Sequence, residues 1–192
     1  MLFISIVLYR YLEVCMEDLG KDEVVVGRYI VKTQKYYYSK DHVWVLVKGS
    51  VAKIGLTDYA QFRVDTVEEI KLPSVGDYFE PQDVICRIEG LKGMFEVLSP
   101  ITGTVENTNS YLEDNPSIIN EDPYEEGWIV EIRMSDPLEV EDLMSSEEYI
   151  EYLEELIREE SGSVSIIHSP DILEEEPLEE IPEDELGYEE EH

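Results

Sequence analysis

A small β-sandwich or flattened barrel, mainly β with short peripheral helices, is the fold class this sequence predicts. Its apolar residues fall in short runs, several of them alternating with polar ones, and glycine and proline punctuate the runs. Only one late stretch keeps helical spacing over several turns. Runs rich in β-branched and aromatic residues predict strands at Val43 to Lys48, Val51 to Gly55, Thr66 to Leu72, Tyr78 to Glu80, Val84 to Glu89, Phe95 to Leu98, Gly103 to Thr108 and Trp128 to Met134. Tyr36 to Tyr38 reads as a strand edge ahead of them. Thr57 can cap a short helix running through Ala60 and Phe62. Ser145 and Glu148 form a capping box for a last helix, on which Tyr149, Ile150, Leu153, Leu156 and Ile157 make a core-facing stripe that closes the domain. Trp44 and Trp128 alternate with apolar neighbours and are assigned to packing.

Length and charge bound the class further. The 192 residues fit one domain with appendages: an N-terminal extension over residues 1–35, a domain over 36–158 and an acidic tail over 159–192. A net charge of −32 and a pI near 4.1 repel phosphate backbones, which argues against nucleic-acid binding and for protein partners with basic docking faces. Of the 46 carboxylates, 23 lie beyond Arg133, against the single cation Arg158. From Glu159 onward aliphatic residues are sparse, and Pro170, Pro177 and Pro182 interrupt any long helix. Such a segment cannot bury enough surface to offset its ordering entropy and is expected to be a disordered, solvating tail. The islands Val164 to Ile167 and Ile172-Leu173 keep open a second reading, an acidic docking strip. A chain cut after Arg158 is expected to melt like the full chain.

Cysteine and histidine usage points away from disulfides and metals. Cys15 and Cys86 have neither CxxC nor zinc-type spacing, and Cys86 reads as a buried thiol, which fits a reducing cytoplasm. His42, His168 and His192 are far apart in the chain. The apolar opening Met1 to Tyr9 has no basic residues before it and is interrupted by Arg10 and Glu13, so no membrane anchor is expected; Met16 is an alternative start of translation.

One residue stands out for function. Lys92 lies in Ile88-Glu89-Gly90-Leu91-Lys92-Gly93-Met94-Phe95-Glu96, a lone cation at the apex of a predicted hairpin. The strand before it places Val84, Cys86 and Ile88 on one face. Glycines on both sides permit the positive φ of a tight turn and leave the amine clear of bulk. Most lysines in turns are simply solvated, and the hairpin alone would not say otherwise.

The surrounding segments decide the matter. Ser39-Lys40-Asp41-His42-Val43-Trp44-Val45, Ile54-Gly55-Leu56-Thr57-Asp58-Tyr59-Ala60-Gln61, Leu72-Pro73-Ser74-Val75-Gly76-Asp77, Ser99-Pro100-Ile101-Thr102-Gly103, Leu112-Glu113-Asp114-Asn115-Pro116, Ile119 to Tyr124 and Gly127-Trp128 occur in one order. In these segments the chain resembles the glycine cleavage system H-protein family of lipoyl carriers, from Tyr36 to about Ile157. The resemblance implies a lipoyl/biotinyl-type barrel-sandwich hybrid with lipoate attached covalently to Lys92, and Glu89 aiding recognition by the lipoylating enzyme. It implies a cofactor-bearing carrier, itself no enzyme, that moves an aminomethyl group from a glycine decarboxylase to a folate-dependent aminomethyltransferase. Dihydrolipoamide dehydrogenase and a lipoate ligase or lipoyl transferase complete the implied partners. Biotin is disfavoured because Lys92 lies between Leu91 and Gly93 rather than between two methionines.

Four details depart from the family's pattern. Its glutamate between the histidine and tryptophan is Val43, its aspartate four residues past the lysine is Glu96, its Ser-Val before the lysine is Gly90-Leu91, and its Leu-Gly-Asp is Val64-Asp65-Thr66. These are expected to bear on the load rather than on the arm. Glu96 and Asp41 are then candidates for a cargo cradle that has lost one charge, and Val43→Glu is expected to restore it. Two other functions stay open: an H-like carrier of other cargo, in sulfur oxidation or a lipoate-assembly relay, and an unmodified interaction module.

Overall fold

The computed structural model describes residues 22–162. The apolar opening segment, Cys15, Met16 and the two hydrophobic islands of the tail lie outside the described residues. Among those described, eleven strands form three sheets. The first is a hairpin of β1 (Glu23–Val26) and β2 (Tyr29–Lys32). The second has six strands in the order β3-β4-β5-β11-β10-β7, comprising β3 (Tyr36–Tyr38), β4 (Val43–Lys48), β5 (Val51–Leu56), β7 (Tyr78–Phe79), β10 (Gly103–Thr108) and β11 (Trp128–Met134). The third orders β6 (Val67–Lys71), β8 (Val84–Gly90) and β9 (Gly93–Leu98) as β6-β8-β9, and all pairings are antiparallel. The helices are α1 (Asp58–Val64), α2 (Tyr111–Asp114), α3 (Ile118–Glu121) and α4 (Ser146–Gly162), with a 3-10 turn at Pro137–Asp142.

Two cores share strand β4. Val43 and Val45 point into the main core, with Ile54, Ile70, Ile88, Val97, Val105 and Ile132 of the two larger sheets. Trp44, between them, points the other way and joins Val31, Tyr36, Tyr38, Tyr59, Tyr124, Tyr149 and Leu153. A strand covered on both faces needs apolar residues at every position, which explains the unbroken Val-Trp-Val run. The Trp44 indole packs closely against β5 because residue 55 is glycine; a Cβ there would lie 2.5 Å from the ring. Its Nε1–H donates to the Pro123 carbonyl at 3.0 Å.

The sequence reading started the domain at Tyr36, yet β1 and β2 are packed parts of it. Val31 is fully buried, the Ile30 amide donates to Asp58 Oδ2 at 2.7 Å, and the hydroxyls of Tyr124 and Tyr38 donate to the carbonyls of Ile30 and Lys32. The hairpin covers the second core, to which Val26, Tyr29 and Val31, with Val24 packed against them, supply the apolar residues. The expected face of β8 also changes. A bulge between Val84 and Cys86 buries Ile85 and Cys86 in succession, so the simple alternation fails there. Cys86 is nonetheless a buried free thiol, and burial pushes it up to about 12.

Both expected caps are present. Thr57 Oγ1 accepts the Ala60 amide at 3.2 Å, the Ser145 amide donates to Glu148 Oε2 at 2.8 Å, and the Glu148 amide donates to Ser145 Oγ at 3.2 Å. Helix α4 runs past Arg158 to Gly162, and Glu160 there accepts hydrogen bonds from Tyr59 and Arg63 at 2.9 and 2.8 Å. A carboxylate assigned to the tail is therefore tied to α1.

His42 sits where α4 meets α1, among the rings of Tyr59, Tyr149 and Tyr152, with Nδ1 2.9 Å from the Tyr149 hydroxyl. Burial lowers its pKa to about 4, outweighing the opposing pull of Asp41 and Glu160, while Arg63 adds to the lowering.

Two outcomes follow for stability. The native imidazole stays neutral down to about pH 4, whereas in the unfolded chain it protonates near 6.5. Its contribution is complete above pH 6.5 and falls away as pH drops towards 4. His42→Asn, which tolerates the native φ of +60°, should flatten the loss of melting temperature between pH 6.5 and 5 relative to the wild type. A chain ending at Arg158 should melt about 2–4 °C below one ending at Gly162, measured by calorimetry, because it lacks the Glu160 ties.

Candidate functional site

The hairpin of β8 and β9 is joined by the two residues Leu91 and Lys92, since Gly90 pairs with Gly93. Only Gly93 uses the conformational freedom expected of both glycines, with φ +117°. Gly90 is glycine for a different reason. A Cβ there would lie 2.6 Å from Val64 Cγ1, 2.7 Å from the Val64 carbonyl oxygen and 2.9 Å from that of Thr66. The hairpin therefore leans its backbone on the end of α1, and the Leu91 amide donates to the Thr66 carbonyl at 3.1 Å.

Lys92 projects from this tip with its side chain 55% exposed, flanked by the exposed apolar side chains of Leu91 and Met94. Its Nζ lies 3.1 Å from Asp65 Oδ2 and 5.4 Å from the centroid of the Phe62 ring. Arg28 of the first hairpin lies over the same Phe62 ring, 3.7 Å from its centroid. Asp65 is held below the ordinary carboxylate range, first by the hydrogen bond from Lys92 and then by the Thr66 amide.

Asn120, at the end of α3, organises the ground beneath. Its Nδ2 donates to Gln61 Oε1 and to the Asp65 carbonyl, both at 2.8 Å, and its Oδ1 accepts the Val67 amide at 2.9 Å. One amide side chain thus ties α1, its C-terminal cap and β6 together. A groove of about 320 Å³ opens beside Lys92, between α1 and α3, lined in part by Gln61, Phe62, Asp65, Thr66, Ser117 and Asn120. A larger concavity of about 760 Å³ lies over β10 and β11, but Arg133 pairs with Glu106 there, and Glu131 takes Lys53 and Asn107.

The other residues singled out in the sequence have partners of their own. Glu89 lies 3.8 Å from Lys71 Nζ, Glu96 accepts from Arg87 Nε at 2.9 Å, and Asp41 accepts from Gln82 Nε2 at 3.2 Å. The carboxylate on Lys92 is Asp65, so the departure at Val64-Asp65-Thr66, expected to bear on a load, touches Lys92 itself. Val43 is fully buried in the main core opposite Leu56. A glutamate at 43 would bury a carboxylate among aliphatic side chains instead of restoring an exposed charge. Phe62 and Asn120 were not expected at the site, and Asp65 was expected only to bear on a load, because their roles arise from contacts between segments remote in sequence.

Chemically, the site offers one exposed primary amine on a rigidly seated turn, with open space at Gly93, where a Cβ would meet nothing within 4 Å. It fits an acyl group attached through an amide. Among the described residues no group of three or more His, Cys, Asp or Glu side chains could hold a metal, and no helix is long and apolar enough to cross a membrane.

Comparison with known proteins agrees with this geometry. The family model described as glycine cleavage H-protein matches residues 36–156. Glycine cleavage system H protein 4 of Aquifex aeolicus is 45% identical over 139 residues, covering 72% of this chain and 81% of that protein. A probable glycine cleavage system H protein of Thermococcus gammatolerans is 43% identical over 136 residues, 69% of this chain and 99% of its own. The crystal structure of an H protein from Mycobacterium marinum superposes with a TM-score of 0.57 at 23% identity, covering 62% of this chain and 96% of that one, and supports the fold. With a family model spanning residues 36–156 and relatives above 40% identity covered to 81% and 99% of their length, this chain belongs to the glycine cleavage H-protein family of lipoyl carriers.

Proposed function

We propose that Lys92 carries lipoate through an amide bond and that the chain shuttles an aminomethyl group between the enzymes of glycine cleavage. The observation that carries this reading is the position of Lys92, an exposed amine at the tip of a two-residue turn in a chain of this family. Glycine decarboxylase loads the carrier, a folate-dependent aminomethyltransferase unloads it, and dihydrolipoamide dehydrogenase restores the disulfide. A lipoate ligase or lipoyl transferase attaches the cofactor, with Glu89 aiding its recognition of the hairpin. When bound, lipoate supplies a dithiolane that accepts and releases the one-carbon unit.

The chain's own residues do the positioning. Gly90 seats the hairpin on α1, Gly93 closes the turn, and Leu91 and Met94 give a partner apolar surface beside the lysine. The exposed carboxylates around them favour a partner with a basic rim. Glu96 and Asp41 remain the candidates for meeting a cationic load, each exchanging its present partner, Arg87 or Gln82, to do so.

A second reading, an H-like carrier of other cargo, is favoured by the burial of Val43 where a cradle carboxylate would be needed.

Lys92→Arg keeps the charge but removes the acylatable amine. Intact mass of wild type from a lipoylating host should show the lipoyl adduct, and the variant should show none; an adduct on the variant would sink the assignment. Incubating the lipoylated wild type with glycine and the cognate decarboxylase separates the two cargoes. Appearance of the aminomethyl mass supports glycine cleavage, and its absence supports the other-cargo carrier.

A further inference from the structure

Asp65 combines two features that stability does not explain. Its backbone has φ +68° and ψ −148°, a region that side-chain-bearing residues rarely occupy and that glycine adopts freely. Its carboxylate makes an ion pair that is largely exposed, with side chains 55% and 43% accessible at Lys92 and Asp65, and such pairs contribute little to folding. A glycine at this position would relieve the backbone and lose only the exposed ion pair and the exposed hydrogen bond from the Thr66 amide.

The surroundings nevertheless hold Asp65 in this conformation from four directions. Its amide donates to the Gln61 carbonyl at 3.1 Å, and its carbonyl accepts from Asn120 Nδ2 at 2.8 Å. Carboxylate Oδ1 accepts the Thr66 amide at 2.9 Å, which turns Oδ2 towards Lys92 Nζ at 3.1 Å. The Phe62 ring flanks the same ammonium at 5.4 Å, on the helix that Asp65 caps. Strain that is over-determined by its neighbours, beside the one residue a modifying enzyme must reach, points to a role in that modification.

We propose that Asp65 is a positioning residue for the chemistry at Lys92, holding the unmodified ammonium down on the end of α1 and letting go when the amine becomes an amide. The proposal rests on the reading of Lys92 as the acylated residue. In the attachment step the Nζ–acyl carbon bond forms while the bond from that carbon to its activating phosphate breaks. The ammonium gives up two protons, to solvent or to the departing phosphate. The product amide is neutral, so the ion pair ceases to exist with the reaction itself. The bare carrier thus presents a tethered lysine and the finished carrier a free arm. The same step leaves the Asp65 carboxylate open to another cation, while Arg28 keeps its place on the Phe62 ring.

The test follows the carboxylate and the rate separately, in the full chain. A carbon-detected NMR titration of Asp65 is run on unmodified protein, on lipoylated protein and on Lys92→Gln. The midpoint should be lowest in the unmodified protein and higher in both others; one common midpoint overturns the proposal. Lipoylation by purified ligase is then timed for wild type, Asp65→Asn and Asp65→Gly. Both variants should be modified about two- to fivefold faster at low salt, the range an exposed pair supports. The gap should close as salt screens the wild-type pair. Asp65→Gly should melt no lower than wild type, which separates release of the lysine from loss of structure. Equal or slower modification of both variants at low salt overturns the positioning role. If the midpoint shifts in Lys92→Gln but mass spectrometry finds no adduct on wild-type Lys92, the carrier reading fails and the release step falls with it.

Discussion

The approach of the Gly90 backbone to the carbonyls of Val64 and Thr66 is the contact on which the arrangement of the site depends. At that distance no side chain fits, so the hairpin cannot slide along the helix end or tilt away from it without opening a gap. The Leu91 amide fixes its height, and Asn120 fixes the helix end in turn. Everything said about the direction in which Lys92 points follows from this seating. The arm proposed for Lys92 needs a firm pivot, and the seating here comes from backbone packed on backbone rather than from the long side chains around it.

The architecture divides labour between two cores. The aliphatic one joins the larger sheets and gives the hairpin its base through Ile88 and Val97. The aromatic one, built on the other face of β4, gathers tyrosines from β2, β3, α1, α4 and the loop after α3 around Trp44. Tyrosine suits this second core because it lies under the chain's appended elements, where each ring can bury its body and still place its hydroxyl on a backbone carbonyl, as Tyr38 and Tyr124 do. Burial raises the phenols of Tyr38 and Tyr124 far above their ordinary range, so these hydrogen bonds keep their protons at any physiological pH.

Much of the fold was legible in the sequence because strands such as Val43–Lys48, Gly103–Thr108 and Trp128–Met134 carry their own apolar pattern and their own punctuation. The hairpin of β1 and β2 carries the same kind of pattern, but it lies outside the stretch of family resemblance and was assigned to an extension. The short helices α2 and α3 could not be read from periodicity, since one turn has none; α2 buries Leu112 and α3 buries Ile119 in the main core, and α3 also carries Asn120. At the site, Lys92 was legible because the segments on either side of its glycine-flanked turn resemble the family in order and spacing. Asp65 appeared only as a departure from a pattern, because its meaning depends on a hairpin that reaches it from far along the chain. The role of Gly90 was misread for the same reason: a turn glycine and a close-approach glycine are one letter in sequence and are told apart by what lies opposite.

Cys86 shares strand β8 with the approach to Lys92, and its thiol faces the aliphatic core. A carrier whose proposed cargo chemistry runs on a dithiol works amid thiol–disulfide exchange, and any thiolate of its own within reach would be a competing nucleophile. With its pKa pushed up to about 12, Cys86 stays protonated and enclosed. Within the described residues Cys86 is thereby a redox bystander: enclosed and protonated, it offers no thiolate to compete with the dithiol chemistry proposed for an arm on Lys92.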